Sequence, residues 1–142
     1  MSRLIFVLLI CPTLAMAQQI QLPNDVDLKA AYCIPIARSA SETLVGENMP
    51  EHFKKSLQDG KDEGAANLRR LRLYLMPRVS YLDTMSLVGA AKSAEDDLAQ
   101  IKAEVVKCDR MSTMEEALKC LSVETEAVKR VRSCNVLSFL PF

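Results

Sequence analysis

The chain of 142 residues is short of several residue types, and each shortage excludes a kind of chemistry. It has one histidine, His52, and no C-x-x-C motif, so it lacks the usual ligand spacing of a zinc site, a thioredoxin-type redox centre or a c-type haem. It has four glycines and no glycine-rich phosphate loop. Basic and acidic residues balance at 18 each, which gives no electrostatic reason to bind nucleic acid. The sequence therefore predicts no cofactor, no metal and no nucleic-acid partner.

The N-terminal segment has the pattern of a secretory signal peptide. Arg3 supplies positive charge, residues 4–10 form a short apolar run, and Ala15-Met16-Ala17 is a small-x-small cleavage pattern. The run is shorter than the roughly 20 apolar residues that a membrane-spanning helix needs. Cleavage is therefore expected between Ala17 and Gln18.

This pattern divides the chain into a signal peptide at 1–17 and a single helical domain at 18–142. The domain is expected in the periplasm or secreted, with no transmembrane segment after signal removal. Lipidation at Cys11 is an alternative, although Ile10 stands where the lipoprotein pattern has a small residue. An uncleaved anchor is a further alternative.

Apolar residues recur at steps of three and four along the rest of the chain, and no segment alternates as a β-strand does. Asn24 or Asp25 can cap the first helix, and Pro50 can open the second where its missing N–H costs nothing. Short connections favour antiparallel neighbours. The sequence therefore predicts an all-α, up-down four-helix bundle, with a three-helix bundle containing one bent helix as the alternative. The helices are expected at about 24–46, 50–76, 78–108 and 112–135.

Proline and glycine interrupt the apolar stripes of the first two helices. Pro35 lies inside the first stripe, which continues to Leu44, and is expected to kink or split the helix near residues 31–34. Gly60 and Gly64 lie in phase on the second stripe. A continuous helix that packs closely at these glycines is favoured over a broken helix with a loop.

The third and fourth predicted helices meet at a capping motif. Ser112 with Glu115 forms a capping box that would start the fourth helix. The acidic run 95–97 on the third helix is expected to be solvated. The clearest apolar stripe of the third helix comprises Leu98, Ile101, Val105 and Cys108.

Basic residues cluster at 69–78 and at 129–132, where they could bind an anionic partner. Because the net charge is zero, solvated faces paired with nearby acids are the favoured interpretation. The apolar tail that contains Phe139, Leu140 and Phe142 is expected to fold back over the open end of the bundle.

Four cysteines remain after signal removal, and an even number in an exported chain indicates disulfides. Cys120 and Cys134 lie 14 residues apart on one predicted helix, about 21 Å, whereas a disulfide needs Cα atoms within roughly 7 Å. Cys108 would lie at the opposite end of that helix from Cys134. The remaining pairing is Cys108–Cys120 with Cys33–Cys134.

The C-x11-C spacing from Cys108 to Cys120, with a helix cap between, looks like the cysteine pair of a family of periplasmic lysozyme inhibitors. The likeness extends from Cys108 to Val131. That family has Thr-Gln before its second cysteine and Asp-x-x-Leu-Asn after it, and this chain has neither motif. The resemblance implies a staple across a helix N-terminus and carries over no activity or binding residue.

These observations predict a non-enzymatic interaction, adaptor or inhibitor module of the cell envelope, with a protein partner. A helical bundle that binds a small ligand, metal or haem is the alternative; Met49 and His52 would be its one ligand pair, although a surface histidine is favoured. A carboxylate-dependent envelope hydrolase is less favoured, because no pair of acids at suitable spacing stands out.

The cysteine pairing is testable by non-reducing peptide mapping of the mature chain. The expected result is one peptide pair joined through Cys33 and Cys134 and a second joined through Cys108 and Cys120. Crossed bridges or free thiols at these positions would contradict the helical arrangement from which the pairing follows.

Overall fold

The computed structural model describes residues 20–141 except 48, 109–112, 116–119, 121, 123–128 and the side chain of Cys108. It is all-α, as predicted, and its long helices are α1 (Asp25–Ser41), α2 (Glu51–Leu75) and α3 (Thr84–Cys108). A short 3-10 helix, η1, follows at Val136–Ser138. Residues 129–133 are also helical, but most of the predicted fourth helix lies outside the described residues.

α1 is the central helix of the fold. It packs against both α2 and α3, whereas α2 and α3 touch each other little within the described residues. Neighbouring positions on a helix point in different directions, so a run of buried positions means burial on several sides. The buried residues of α1 are Asp27, Ala30, Ala31, Cys33, Pro35, Ile36 and Ala37.

α1 begins at the predicted cap and passes through Pro35 without a break. The Asn24 side chain accepts a hydrogen bond from the backbone N–H of Asp27, and the Asp27 carboxylate accepts one from the N–H of Asn24. Of the predicted kink or split near residues 31–34, the split is wrong: proline removes one ladder hydrogen bond, but packing on several sides holds the helix together. The kink stays a prediction. α1 ends at Ser41, so Leu44 lies beyond it and is 87% exposed.

α2 is one continuous helix, and it lies close to α1 at Gly64. A Cβ atom at Gly64 would stand 2.8 Å from the Ala40 Cβ and 2.9 Å from the Ser41 backbone nitrogen. Gly60 is different, because a Cβ atom there would meet nothing within 4 Å. The predicted close contact is therefore confirmed at Gly64, and at Gly60 it is wrong.

α2 ends at Leu75, as Met76-Pro77 predicted, but α3 begins at Thr84 and not at residue 78. Asp83 explains the later start, since its carboxylate accepts hydrogen bonds from the backbone N–H groups of Met85 and Ser86. The backbone on either side of Leu82 also bonds to Gln21: the Gln21 N–H donates to the Tyr81 carbonyl at 2.8 Å, and the Asp83 N–H donates to the Gln21 carbonyl at 2.9 Å.

α3 extends past the end of α1. The two helices run in the same direction, because residues near their starts line one groove and residues near their ends line another. α1 has 17 residues and α3 has 25, lengths of about 25 and 37 Å. Val105 therefore has no α1 residue beside it and is 41% exposed, so the predicted core stripe is wrong there. Burial on α3 is greatest nearer its start, at Leu87 and Ala94.

The C-terminal segment folds back onto α1, as predicted. A disulfide joins Cys33 to Cys134 with a Cα–Cα distance of 5.3 Å, and it is the long-range pair that the sequence predicts. Beyond it, Val136 and Leu140 are buried in the core. The ammonium group of Lys29 lies 4.6 Å from the centroid of the Phe139 ring.

The two glycines of α2 predict opposite effects of the same substitution. Gly64→Ala should lower the free energy of unfolding by about 1–3 kcal/mol, because its methyl group overlaps α1. Gly60→Ala is the matched control and should raise it by about 0.5–1 kcal/mol, since it reduces the freedom of the unfolded chain without a clash. Urea denaturation measures both. Equal effects of the two substitutions would contradict the close approach at Gly64.

Candidate functional site

An open apolar groove lies over the N-terminal half of α1. Its volume is about 440 Å³, and its floor contains Ala31 and Ile34 of α1. One wall comes from the end of α2 and the turn after it, and the other from the first two turns of α3. The groove residues are Ala31, Ile34, Arg72, Leu75, Met76, Val79, Thr84, Leu87, Val88 and Ala91. This set is called the apolar groove below.

The position of α1 between the other two helices produces the apolar groove. Because α2 and α3 are held apart by α1, the apolar side chains that would otherwise meet each other face solvent. Met76 is 68% exposed, Val79 41% and Val88 53%. Soluble domains rarely group such side chains without a use for them, since exposed apolar patches promote association.

The surroundings of the apolar groove are basic. Residues 64–82 include four arginines and no acidic residue, and residues 84–94 include Lys92 and no acidic residue. The acid between these ranges, Asp83, is occupied in capping α3. Arg72 is the charged residue in the wall of the groove, and Arg69 lies one turn before it on the same side of α2. An anionic group on a bound partner would therefore meet positive charge here.

A buried carboxylate near the start of α1 ties this end of the fold together. Asp27 is 1% exposed and accepts hydrogen bonds from Arg78 Nε at 2.8 Å and from the Tyr74 hydroxyl at 3.0 Å. Burial acts to raise the pKa of Asp27, but the hydrogen bonds from Arg78, the Asn24 N–H and Tyr74 together outweigh it, so the pKa is below its usual value. Arg78 is thus not a free member of its basic cluster.

A second polar cluster joins α1, α3 and the C-terminal segment. The Tyr32 hydroxyl donates a hydrogen bond to the Asp97 carboxylate at 2.6 Å, and Arg130 forms an ion pair with the same carboxylate. These two contacts lower the pKa of Asp97. The interpretation of residues 95–97 as a solvated run is therefore wrong for Asp97. Tyr32 and Asp97 are 65 residues apart in sequence, and no local pattern connects them.

His52 lies in the first turn of α2 on the surface, where its ring centroid is 4.4 Å from that of Phe53. No group of three or more His, Cys, Asp and Glu side chains suited to a metal ion occurs in the described part of the chain. Two predictions, the Ala17–Gln18 cleavage site and the capping box at Ser112, lie outside the described residues. The pairing of Cys108 with Cys120 also stays a prediction, because the side chain of Cys108 is outside them.

Comparisons with known proteins give no relative for this chain: no protein-family model matches it, and neither a curated protein nor a solved structure shows significant similarity. Among the described helices, none is both long and apolar enough to span a membrane. The site is therefore argued from its own residues.

Sequence reasoning missed the apolar groove, although part of its signal was visible. Val79, Met85 and Val88 are apolar positions in and just after the Met76-Pro77 interruption, and none of them belongs to the third-helix stripe at residues 98–108. Apolar residues outside a core stripe can indicate a second contact surface. Which helix would supply the floor of that surface could not be read from spacing.

Stability should fall at acid pH through Asp27. Its pKa in the folded chain is below the unfolded value of about 3.9, so its contribution is complete above that value and is lost as the pH falls through the folded pKa. Asp27→Asn should lower the free energy of unfolding by about 3 kcal/mol at pH 7, because Arg78 loses its counter-ion. It should also reduce the dependence of stability on pH at acid pH, which is called the acid limb below. Urea midpoints measured between pH 7 and pH 2 test this.

Asp96→Asn is the matched control. Asp96 pairs with Lys92 on the surface, with both side chains more than two-thirds exposed, so the loss should stay within about 0.5 kcal/mol. An acid limb in Asp27→Asn as steep as that of the unmodified chain would show that Asp27 does not contribute to it.

Proposed function

We propose that this chain is an exported, non-enzymatic interaction module of the cell envelope, which holds an amphipathic helix of a partner protein in the apolar groove. The observation that carries the proposal is the groove itself, an apolar surface formed by all three helices with Met76, Val79 and Val88 exposed at its rim. Such grooves take the apolar face of a helix and leave its polar face in solvent.

The dimensions of the groove suit a helix. Along α3 it runs from Thr84 to Ala91, about 10 Å at 1.5 Å per residue. Three apolar anchors at positions i, i+4 and i+7 of a bound helix also span about 10 Å. Methionine at the rim adapts to different side chains, because its thioether chain is unbranched and flexible.

Charge selects the partner. Since the groove is bordered by Arg72 and Arg69 and the flanking ranges carry no free carboxylate, the bound helix should carry acidic residues beside its apolar face. A basic amphipathic helix would be disfavoured by like-charge repulsion. Complementary charge at the rim acts mainly on the association rate and on the choice of partner.

Export and architecture are part of the proposal. The signal-peptide pattern at residues 1–17 and the Cys33–Cys134 bridge support an oxidising compartment. The helical residues 129–133 support a fourth helix over about 112–135 and hence an up-down bundle. The disulfide-bonded state of Cys120 supports a second bridge, to Cys108.

The carboxylates favour this function over a hydrolase. A general acid in a glycosidase-like site needs a raised pKa, so that it is protonated at neutral pH. Among the described acids with shifted pKa values, Asp27, Asp83 and Asp97 all have lowered ones, held down by hydrogen bonds and ion pairs. They serve helix caps and helix contacts.

A photocrosslinking experiment tests the proposal. A photoreactive phenylalanine analogue replaces Val88 in the groove or, as the control, Val106, which is 57% exposed near the far end of the same helix. In periplasmic extract under oxidising conditions, position 88 should crosslink to an amphipathic, acidic helical segment of another protein, and position 106 should not. Mass spectrometry of the crosslinked peptide identifies that segment.

Two substitutions sharpen the result. Val88→Asp and Arg72→Glu should each weaken binding of the synthetic segment at least tenfold, about 1.4 kcal/mol, by placing negative charge in the groove. Both positions are exposed, so the free energy of unfolding should change by less than about 0.5 kcal/mol. Crosslinks at position 88 to a second copy of this chain, to lipid or to a basic segment would overturn the assignment.

A further inference from the structure

A second cavity lies on another side of α1, between α1, the middle of α2 and residues 131–135. Its volume is about 460 Å³, within the range of small-molecule sites. Glycine makes room for it: Gly60 and Gly64 both line the cavity, and a Cβ atom at Gly60 would meet no atom within 4 Å. The Cys33–Cys134 bridge fixes the wall that Cys134 contributes.

Asn67 provides the main sign that this cavity binds something. It lines the cavity and is only 8% exposed, so more than nine-tenths of the residue is buried. Within the described part of the chain its side-chain amide has no hydrogen-bond partner. The amide still reaches the cavity space, because none of the described side-chain polar atoms is both fully buried and unbonded. A buried amide is costly without a partner, so the Asn67 amide favours a molecule in the cavity that can hydrogen-bond to it.

Two opposite charges lie on different walls of the same cavity. Glu63 comes from α2, one turn before Asn67, and Arg132 comes from the helical residues 129–133. They form no ion pair with each other or with another described side chain. A carboxylate, an amide and a guanidinium thus surround a space that has Ile36 and Ala37 as its apolar wall.

We infer that this cavity binds a small zwitterionic peptide of two residues. Its ammonium group pairs with Glu63, its peptide group bonds to the Asn67 amide, and its carboxylate pairs with Arg132. An extended dipeptide spans about 7 Å, and Glu63 and Asn67, one turn apart on α2, have Cβ atoms about 5–6 Å apart, so one dipeptide can meet both of them while Arg132 lines the same cavity. Small aliphatic side chains fit the wall formed by Ile36 and Ala37.

The test is a titration of the full, oxidised mature chain with L-alanyl-L-alanine, followed by nuclear magnetic resonance. The Asn67 side-chain amide signals should shift and saturate, and calorimetry should give a matching Kd. If the signals do not shift at dipeptide concentrations up to about 10 mM, the proposal is overturned, and water alone satisfies the amide.

Glycine substitutions separate filling of the cavity from a change in stability. Gly60→Leu places a side chain in the cavity without a backbone clash and should weaken dipeptide binding at least tenfold. Gly89→Leu is the matched control, since it is the same change on α3, at a glycine whose Cβ would also meet nothing within 4 Å and which does not line the cavity. Equal affinities of the two variants would overturn the location.

Charge variants test the orientation of the dipeptide. Arg132→Gln should weaken L-alanyl-L-alanine binding about tenfold and leave binding of L-alanyl-L-alanine amide, which has no carboxylate, unchanged. Glu63→Gln should weaken L-alanyl-L-alanine binding about tenfold and leave binding of N-acetyl-L-alanyl-L-alanine, which has no ammonium group, unchanged. An equal effect of Arg132→Gln on both dipeptides would show that the guanidinium acts only on the shape of the site. Val88→Asp in the apolar groove should leave dipeptide binding unchanged.

Discussion

The fold depends on one constraint: α1 must be covered on several sides at once. A 17-residue helix with buried positions in nearly every direction cannot be stable alone, and its alanines let α2 and α3 approach closely. Gly64 shows how close that approach is, because even a methyl group would overlap the Ala40 side chain. The Cys33–Cys134 bridge then fixes the C-terminal segment against the same helix across 101 residues of sequence.

The polar interior follows from that constraint. A helix packed on several sides can bury Asp27 in its first turn only if the carboxylate is hydrogen-bonded, and Arg78, Tyr74 and the Asn24 N–H donate to it. Tyr32 and Asp97 repeat the arrangement farther along, with Arg130 as the cation. Both clusters join residues far apart in sequence. Both also hold in structural contacts carboxylates that would otherwise be candidates for catalysis.

The two candidate binding surfaces have the same origin. Because α1 separates α2 from α3, the space above its first half remains open and apolar, and charge at the rim distinguishes acidic partners from basic ones. Because Gly60 of α2 carries no side chain, space remains beside the second half too, next to a buried amide and two charges that have no ion-pair partner among the described residues. An apolar groove and a polar cavity on one small domain suggest separate occupants, a helix and a small zwitterion.

Sequence alone determined the all-α class, a cap at Asn24 or Asp25 and the stop at Met76-Pro77, because each depends on residues within about one turn of each other. It favoured a continuous α2 but left a break at the glycines open. It failed at Val105 and Asp97, where the absence or presence of a neighbour on another element decides the environment. The spacing of apolar residues shows that a helix has a buried stripe, but not how many helices cover that stripe or how far those helices extend. The central place of α1, the apolar groove and the partners of Asp27 were decided only by tertiary packing, since 47 and 51 residues separate Asp27 from Tyr74 and Arg78.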